Sequence, residues 1–451
     1  MGSHLDLVAD AAIGEQTLMT LVKRILAEAR DQGASAAEAA VSVGQGLSVT
    51  VRLGEVETVE HNRDKDLALT VFFGHKSGSA STSDFSEAAM RGTVRAACSI
   101  AKYIAEDECA GLADSERLAK EPPDLDLRHP WTPSTELAVQ LACECEDAAR
   151  RVDPRIKNSE GATVSSHEGL EVYGNTNGFL GVIPTTRHAL ICSVIAQDDT
   201  GMQRDYWYSV ARDAADLETP EEVGSKAGQR ALRRLRARKL STRETPVVYE
   251  APVASSLLSH FVSAVRGSSL YREASFLLNQ LGKDVFADHV RIFEQPHVRK
   301  ALGSAPFDSE GVATTERDVV TEGVLKSYVL DSYSARKLGL QTTGNAGGVH
   351  NLTIESGEDD LSGLLQQMGT GFLITELIGF GVNIVSGDYS RGAAGFWVEG
   401  GEIQYPVEEI TVAGNLRTMF TDLLAVGNDI DTRGNIRTGS MLIDNITVAG
   451  N

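Results

Sequence analysis

Leu67-Ala68-Leu69-Thr70-Val71-Phe72-Phe73 is rich in β-branched and aromatic residues, with apolar side chains at every second position. Such a run is a strand with one face against a core. Upstream, Ala39-Ala40-Val41-Ser42-Val43 and Leu47-Ser48-Val49-Thr50-Val51-Arg52 alternate in the same way, and the small-residue tract Gly78 to Ser83 follows downstream. Outside these strands the period changes. Leu18, Leu21, Val22, Ile25, Leu26 and Ala29 recur at helical spacing, with Gly33 to end the helix. A second helix starts near Asp84 or Ser86 and carries Met90, Val94, Ala97 and Ile100-Ala101. Helix, antiparallel strands, helix predicts an α+β amino-terminal domain over residues 14–120.

The charged, proline-bearing stretch Glu121 to Pro133 reads as a linker. Thr132-Pro133 then opens a third helix, and strand-like segments follow to Val210, among them Ala189-Leu190-Ile191-Cys192-Ser193-Val194. Thr219 as cap, Pro220 at the first position and Glu222 at the third mark the next helix start. That helix ends in the basic run Arg230 to Lys239, which reads as a solvated face rather than a partner-facing patch. These elements define a middle α/β region, residues 130–240.

From Pro246 the texture becomes strand and turn. Val247-Val248-Tyr249 is a strand, and helices are predicted at Ser255 to Val265 and near Asp360 to Met368. The alternating runs Val319 to Leu330, Gly395 to Val398 and Ile403 to Val407 predict a strand-rich C-terminal domain over residues 246–451, a large twisted antiparallel sheet or an open barrel.

Charge excludes some functions. Among 451 residues, 42 Lys and Arg stand against 63 Asp and Glu, a net charge of −21. Such a surface repels phosphate backbones and anionic membranes, so neither nucleic acid nor membrane is expected as a partner. The cysteines Cys98, Cys109, Cys143, Cys145 and Cys192 are odd in number and form no paired framework, which fits reduced thiols in a cytoplasm. No apolar run reaches the ~18 residues of a membrane span, and no signal peptide is recognised. Met1-Gly2-Ser3-His4 reads as an expression remnant.

Most catalytic signatures are missing. There is no G-x-S-x-G, no phosphate loop and no H-E-x-x-H. Gly369-Thr370-Gly371 lacks the third glycine of a dinucleotide fingerprint and reads as a strand turn. His167-Glu168 has no second histidine and lies in a polar, turn-like stretch. His289 and His297 are separated by Pro296, which argues for surface or capping roles over ligation. Asp308 and Glu310 before Gly311 read as an acidic turn, with a general acid/base pair as the sharper alternative. Asp388 and Arg391 bracket Tyr389-Ser390 in what reads as a glycine-flanked loop.

The order of motifs in the C-terminal half carries a resemblance. Phe307-Asp308-Ser309-Glu310-Gly311 is followed by Gly323-Val324-Leu325-Lys326-Ser327-Tyr328, then Asp331, Ala335-Arg336 and Gly339. Next come Gly387-Asp388-Tyr389-Ser390-Arg391-Gly392-Ala393-Ala394-Gly395, Val398-Glu399-Gly400-Gly401-Glu402-Ile403 and Gly427-Asn428-Asp429. In this order the set resembles the TldD/PmbA metallopeptidases, and the PmbA (TldE) branch in particular.

The resemblance implies a degenerate metal site. The TldD branch carries H-E-x-x-x-H, two histidine ligands with a glutamate base, and a later cysteine ligand. Aligned on Leu257-Leu258, the first histidine falls on Ser259, the glutamate on His260 and the second histidine on Ala264, while the cysteine falls on Thr438. Ala264 has no donor atom, and Ser259 and Thr438 are poor zinc ligands beside imidazole and thiolate. No metal or other cofactor is therefore expected in this chain; zinc would sit in a TldD-like partner. The implied function is a non-catalytic subunit that helps hold unfolded peptides for precursor maturation or antitoxin-type degradation. Asp388, Tyr389, Ser390, Arg391 and Gly392 are its candidate peptide contacts. Two alternatives stay open: an autonomous peptidase using His260 with Asp388 or Glu310, and a homodimeric peptide-binding modulator. All three need an exposed sheet edge or seam that another chain covers.

Overall fold

The computed structural model describes residues 14–450; the stretch Met1-Gly2-Ser3-His4 lies outside them. Helix α1 (Glu15–Asp31) buries the six apolar residues of its stripe, and the turn after it uses Gly33 at φ 89°. Three antiparallel strands follow, β1 (Ala36–Arg52), β2 (Glu55–Phe73) and β3 (Lys76–Thr82), then α2 (Glu87–Tyr103). Ser86 caps α2 by accepting a hydrogen bond from the Ala89 amide. Ser134 caps α3 (Thr135–Arg151) likewise, so Pro133 stands one residue before the cap and not at the first helical position. The strands β4 (Ile156–Asn175), β5 (Leu180–Gln197) and β6 (Met202–Ala211) lead to α4 (Pro220–Arg233). Its start is the capping box legible in the sequence, Thr219 and Glu222 bonding reciprocally around Pro220.

These six strands form one sheet in the order β3-β2-β1-β4-β5-β6. Glu38–Val51 of β1 pairs with Asn175–Ala162 of β4, so residues 14–120 and 130–240 share a single sheet. Odd-numbered residues of β1 face the helices at both ends of the strand, while Gln45 in the middle is exposed. Ala37, Ala39 and Val41 pack with α1 and α2 at one end, and Val49 and Val51 with α3 and α4 at the other. His167-Glu168 lies inside β4, not in a turn: the His167 ring rests on Gly44 and Gly46 of β1, and Glu168 accepts from Arg128. A solvated strand face is as polar as a turn, which is why composition misread it. On the outer edge of β2, β3 pairs only from Leu67 onward. Glu55 to Asp66 is therefore exposed, with that strand edge open among the described residues.

The C-terminal half begins with β7 (Arg243–Tyr249), α5 (Ala251–Val265) and α6 (Gly267–Tyr271). A small sheet then forms from β8 (Ile292–Glu294), β9 (Arg317–Thr321) and β10 (Val324–Leu325), with α7 (Ser332–Lys337) and β11 (Leu352–Ile354) after them. The remaining elements are α8 (Leu361–Met368), β12 (Gly371–Ile378), β13 (Asp388–Glu399), β14 (Glu402–Asn415), α9 (Leu416–Thr421), β15 (Leu423–Val426), β16 (Ile436–Arg437) and β17 (Met441–Ala449). Strands β14-β13-β12-β7-β17 are hydrogen-bonded in that order, and Thr411–Ala413 of β14 pairs back onto Ala449–Thr447 of β17. The strand-rich domain is thus built on a closed five-stranded barrel, where the sequence reading left it open, and the β7–β12 pair is parallel. Closure needs pairing between residues over thirty positions apart, which local alternation does not encode. Val247, Tyr249, Phe372 and Ile374 enter the main C-terminal core, while their neighbours Val248 and Leu373 face Leu364, Leu365 and Met368 of α8.

Candidate functional site

Helix α5 carries Ser259, His260 and Ala264, three of the four positions onto which the resemblance maps a metal motif. It begins at Ala251, four residues before the predicted start, because Pro252 fits its first turn. Leu257, Leu258, Phe261, Ala264 and Val265 are buried, and Ser259 is exposed. On a regular helix, positions five apart lie ~140° from each other around the axis. Ser259 and Ala264 accordingly face different surroundings, and Ala264 offers only a buried methyl. Thr438 follows β16, which lies against α5; it is fully buried, and its hydroxyl donates to the Gly439 carbonyl at 2.8 Å. Among the described residues no group of three or more His, Cys, Asp or Glu could hold a metal ion. The residues at the four motif positions do not fit zinc.

His260 is the position onto which the resemblance maps a glutamate base. It is half-buried, its ring meets that of Tyr389 edge-on with centroids 6.1 Å apart, and its Nε2 is buried without a hydrogen-bond partner. Burial, and after it the nearby Arg391 guanidinium, push its pKa below the ordinary histidine value, so the ring is neutral near pH 7. Tyr389 and Arg391, two apart on β13, share a strand face. Tyr249, at the end of β7, completes the group and is fully buried. Burial raises the pKa of both phenols and so holds them protonated, and each phenol shifts the other's pKa. Yet neither hydroxyl has a geometrically sound hydrogen bond, and neither does the buried Nε of Arg391. Four buried polar atoms from three elements are thus left without partners in one neighbourhood.

The segment Asp388 to Gly392 is part of β13 and not the loop that its glycines suggested. It pairs with Asn415–Thr411 of β14 on one side. On the other, the Ser390 amide donates to Gly381 O at 2.7 Å and the Asn383 amide to Asp388 O at 2.8 Å. Both backbone edges are occupied, so a ligand here meets side chains and not a free strand edge. The Asp388 carboxylate accepts from Ser386 Oγ and Asn415 Nδ2 and lies on the opposite strand face from Arg391. The connection above it, residues 378–387, exposes Ile378, Phe380 and Val385; Phe380 is 99% exposed.

Glu310 is not joined to His260 either; it accepts from the Ser332 amide at 3.0 Å. Asp308 is the organiser of its turn, its carboxylate accepting from the amides of Glu310, Val312 and Ala346. Burial and the neighbouring Glu310 push Asp308 up to about 7. Glu38 of β1, bonded to Tyr173, is pushed up to about 7 by burial and, more weakly, by Glu310.

The basic run is a solvated face only in its second half, where Arg236, Arg238 and Lys239 are exposed. Arg230 and Arg234 side chains are 13% exposed; both pair with Asp205 of β6, and they reach Glu250 and Glu376 across the junction between the two halves. The acidic partners lie on three other elements, so the run alone gave no sign of them. Beside this network is a cleft of about 510 Å³, lined by Trp207, Lys226, Arg230, Arg233, Glu250 and Arg433 among others. Of the site residues, Tyr249 and Glu250 were missed from sequence: each is an ordinary strand-end residue until the fold places it.

The chain matches the PmbA/TldA metallopeptidase domain 1 over residues 37–101, the central domain over 128–235 and the C-terminal domain over 242–450. It is 49% identical to Metalloprotease PmbA of Escherichia coli O157:H7 over 442 residues, covering 98% of this chain and 97% of that one. It is 48% identical to a Metalloprotease PmbA homolog of Haemophilus influenzae, covering 97% of each. Among solved structures, a candidate modulator of DNA gyrase from Bacteroides thetaiotaomicron superposes with a TM-score of 0.92 at 29% identity, covering 98% of this chain and 100% of that one. TldE from Thermococcus kodakarensis shares the fold, with a TM-score of 0.80 at 18% identity, covering 95% and 100%. The chain belongs to the PmbA/TldD family of metallopeptidases.

Proposed function

We propose that this chain is the non-catalytic subunit of a two-chain zinc peptidase, closing the chamber around a metal held by a TldD-like partner and helping to seat unfolded peptides. The observation that carries this reading is the donor set at the motif positions: exposed Ser259, neutral His260, a buried Ala264 methyl and a Thr438 hydroxyl turned to its own backbone. Hydrolysis at a zinc centre needs three firm ligands to hold the metal and its water; this set does not supply them, so a neutral His260 has no metal-bound water from which to take a proton. No step of the reaction is assigned to this chain. Its residues act on the peptide and the partner.

Two surfaces support a role with another chain. Open strand edges are normally covered or blunted, and Glu55 to Asp66 of β2 is a long one. The second is the connection carrying Ile378, Phe380 and Val385, an apolar cluster next to the Tyr389–Arg391 strand. Occupied backbone edges at Asp388 to Gly392 favour contact with a peptide through the Ser390 and Arg391 side chains.

The test is zinc content by elemental analysis on this chain alone, with cleavage of an unfolded protein followed in parallel. The expected result is no stoichiometric zinc and no cleavage, with activity appearing on addition of a TldD-like chain. One zinc per chain with chelator-sensitive cleavage would overturn the reading in favour of an autonomous peptidase. Peptide binding that is indifferent to a TldD-like chain would favour the modulator.

A further inference from the structure

We propose that Arg391, His260, Tyr249 and Tyr389 form a receptor for a carboxylate group carried by a bound peptide. The proposal rests on the partner-subunit reading and names what that subunit recognises.

The argument starts from Arg391. A guanidinium has five N–H donors and no acceptor, and it stays charged. In a chain with 63 acidic residues, an arginine that is even half-buried normally finds a carboxylate. Arg391 finds none: among the described residues its guanidinium makes no ion pair and no hydrogen bond, and its Nε is buried. The three groups around it do not compensate. Tyr249 and Tyr389 are 0% and 1% exposed with hydroxyls that lack sound hydrogen bonds, and His260 presents a buried Nε2. Leaving such groups unmade is costly. Each of the four can donate a hydrogen bond, and two hydroxyls plus an imidazole N–H around one cation is a donor set for an oxyanion.

The setting says that this anion arrives on a peptide. Ser259 and Ser390, the residues next to His260 and between Tyr389 and Arg391, are exposed, so the cluster lies just under the surface. The Gly381 carbonyl, which holds the Ser390 amide, adjoins the fully exposed Phe380. A carboxylate at Arg391 would thus place its bearer's apolar side chains near Phe380 and Ile378. Two sources share this chemistry: the C-terminal carboxylate of a peptide, or an internal Asp or Glu side chain.

The experiment measures fluorescence anisotropy of a labelled, unstructured ten-residue peptide in three forms. They are the free acid without acidic residues, its C-terminal amide, and that amide with one internal Glu. Each is titrated with the full chain, alone and with a TldD-like chain. The free acid or the Glu peptide is expected to bind more tightly than the plain amide by about tenfold or more, the scale of a hydrogen bond to a charged group. Whichever does so identifies the source. Arg391→Gln should abolish the difference and Arg391→Lys restore part of it, with circular dichroism verifying that each variant is folded. Equal binding of all three forms, no binding by any, or an acid preference that survives Arg391→Gln would overturn the proposal. If the two-chain complex still assembles and cleaves in that case, the partner-subunit reading stands without the receptor.

Discussion

Arg230 of α4 donates to both carboxylate oxygens of Glu250, at 3.3 and 3.1 Å, and so fastens the six-stranded half to the residue that launches α5. Arg233 joins the same carboxylate, and Asp205 takes a second N–H of Arg230. Removing one partner of a buried network leaves the others uncompensated. Glu250→Ala is therefore expected to destabilise the protein by about 3–5 kcal/mol in urea unfolding. The double variant Glu250→Met with Arg230→Met should lose less than the sum of the singles. Additive losses would mean that the pair is not coupled.

Two glycines with nearly the same backbone angle should respond differently. Gly311 has φ 77° and its missing Cβ would lie 2.6 Å from the Phe179 ring; Gly282 has φ 79° and open space around it. Gly282→Ala carries only the left-handed backbone cost, about 1 kcal/mol. Gly311→Ala adds a collision with the aromatic contact between Phe179 and Phe307, and should cost about 2 kcal/mol or more. Thermal melts of the two variants decide it, and equal shifts would refute the packing argument.

Glu38 links stability to pH. Its folded pKa is raised from 4.5 to about 7. Between those values the folded protein keeps a proton that the unfolded chain has released, so stability falls as pH rises through this window. Each unit of such a shift corresponds to about 1.4 kcal/mol. Glu38→Gln retains an oxygen for the Tyr173 hydroxyl and removes the titration. It should be more stable than the parent at pH 8, by about 1 kcal/mol or more, and no better at pH 4. Urea unfolding at the two pH values gives the answer, and a parallel pH profile in both proteins would contradict it.

Phe380 separates folding from association. Being 99% exposed, it contributes no packing, and Phe380→Ser should leave stability within about 0.5 kcal/mol of the parent. If the 378–387 connection meets another chain, the same change weakens association with a TldD-like subunit in analytical ultracentrifugation. Unchanged association would move the interface elsewhere, with the open edge of β2 as the next surface to probe.

The amino-acid sequence by itself determined what depends on neighbours along the chain. The stripe of α1, the capping box of α4, the alternation of β1 and β2 and the loss of donors at Ser259, Ala264 and Thr438 are all local facts. Helix and strand periods arise from backbone geometry within a few residues, and a methyl cannot bind a metal in any fold. Tertiary structure decided everything that needs a partner far away. It joined residues 14–120 and 130–240 in one sheet through β1 and β4, and it closed the barrel through β14 and β17. It buried Arg230 and Arg234 against acids from other elements, and it gathered Tyr249, His260, Tyr389 and Arg391 with polar atoms that lack partners. Strand pairing and desolvation act between surfaces brought together only by folding, so no window along the chain contains both members of these pairs.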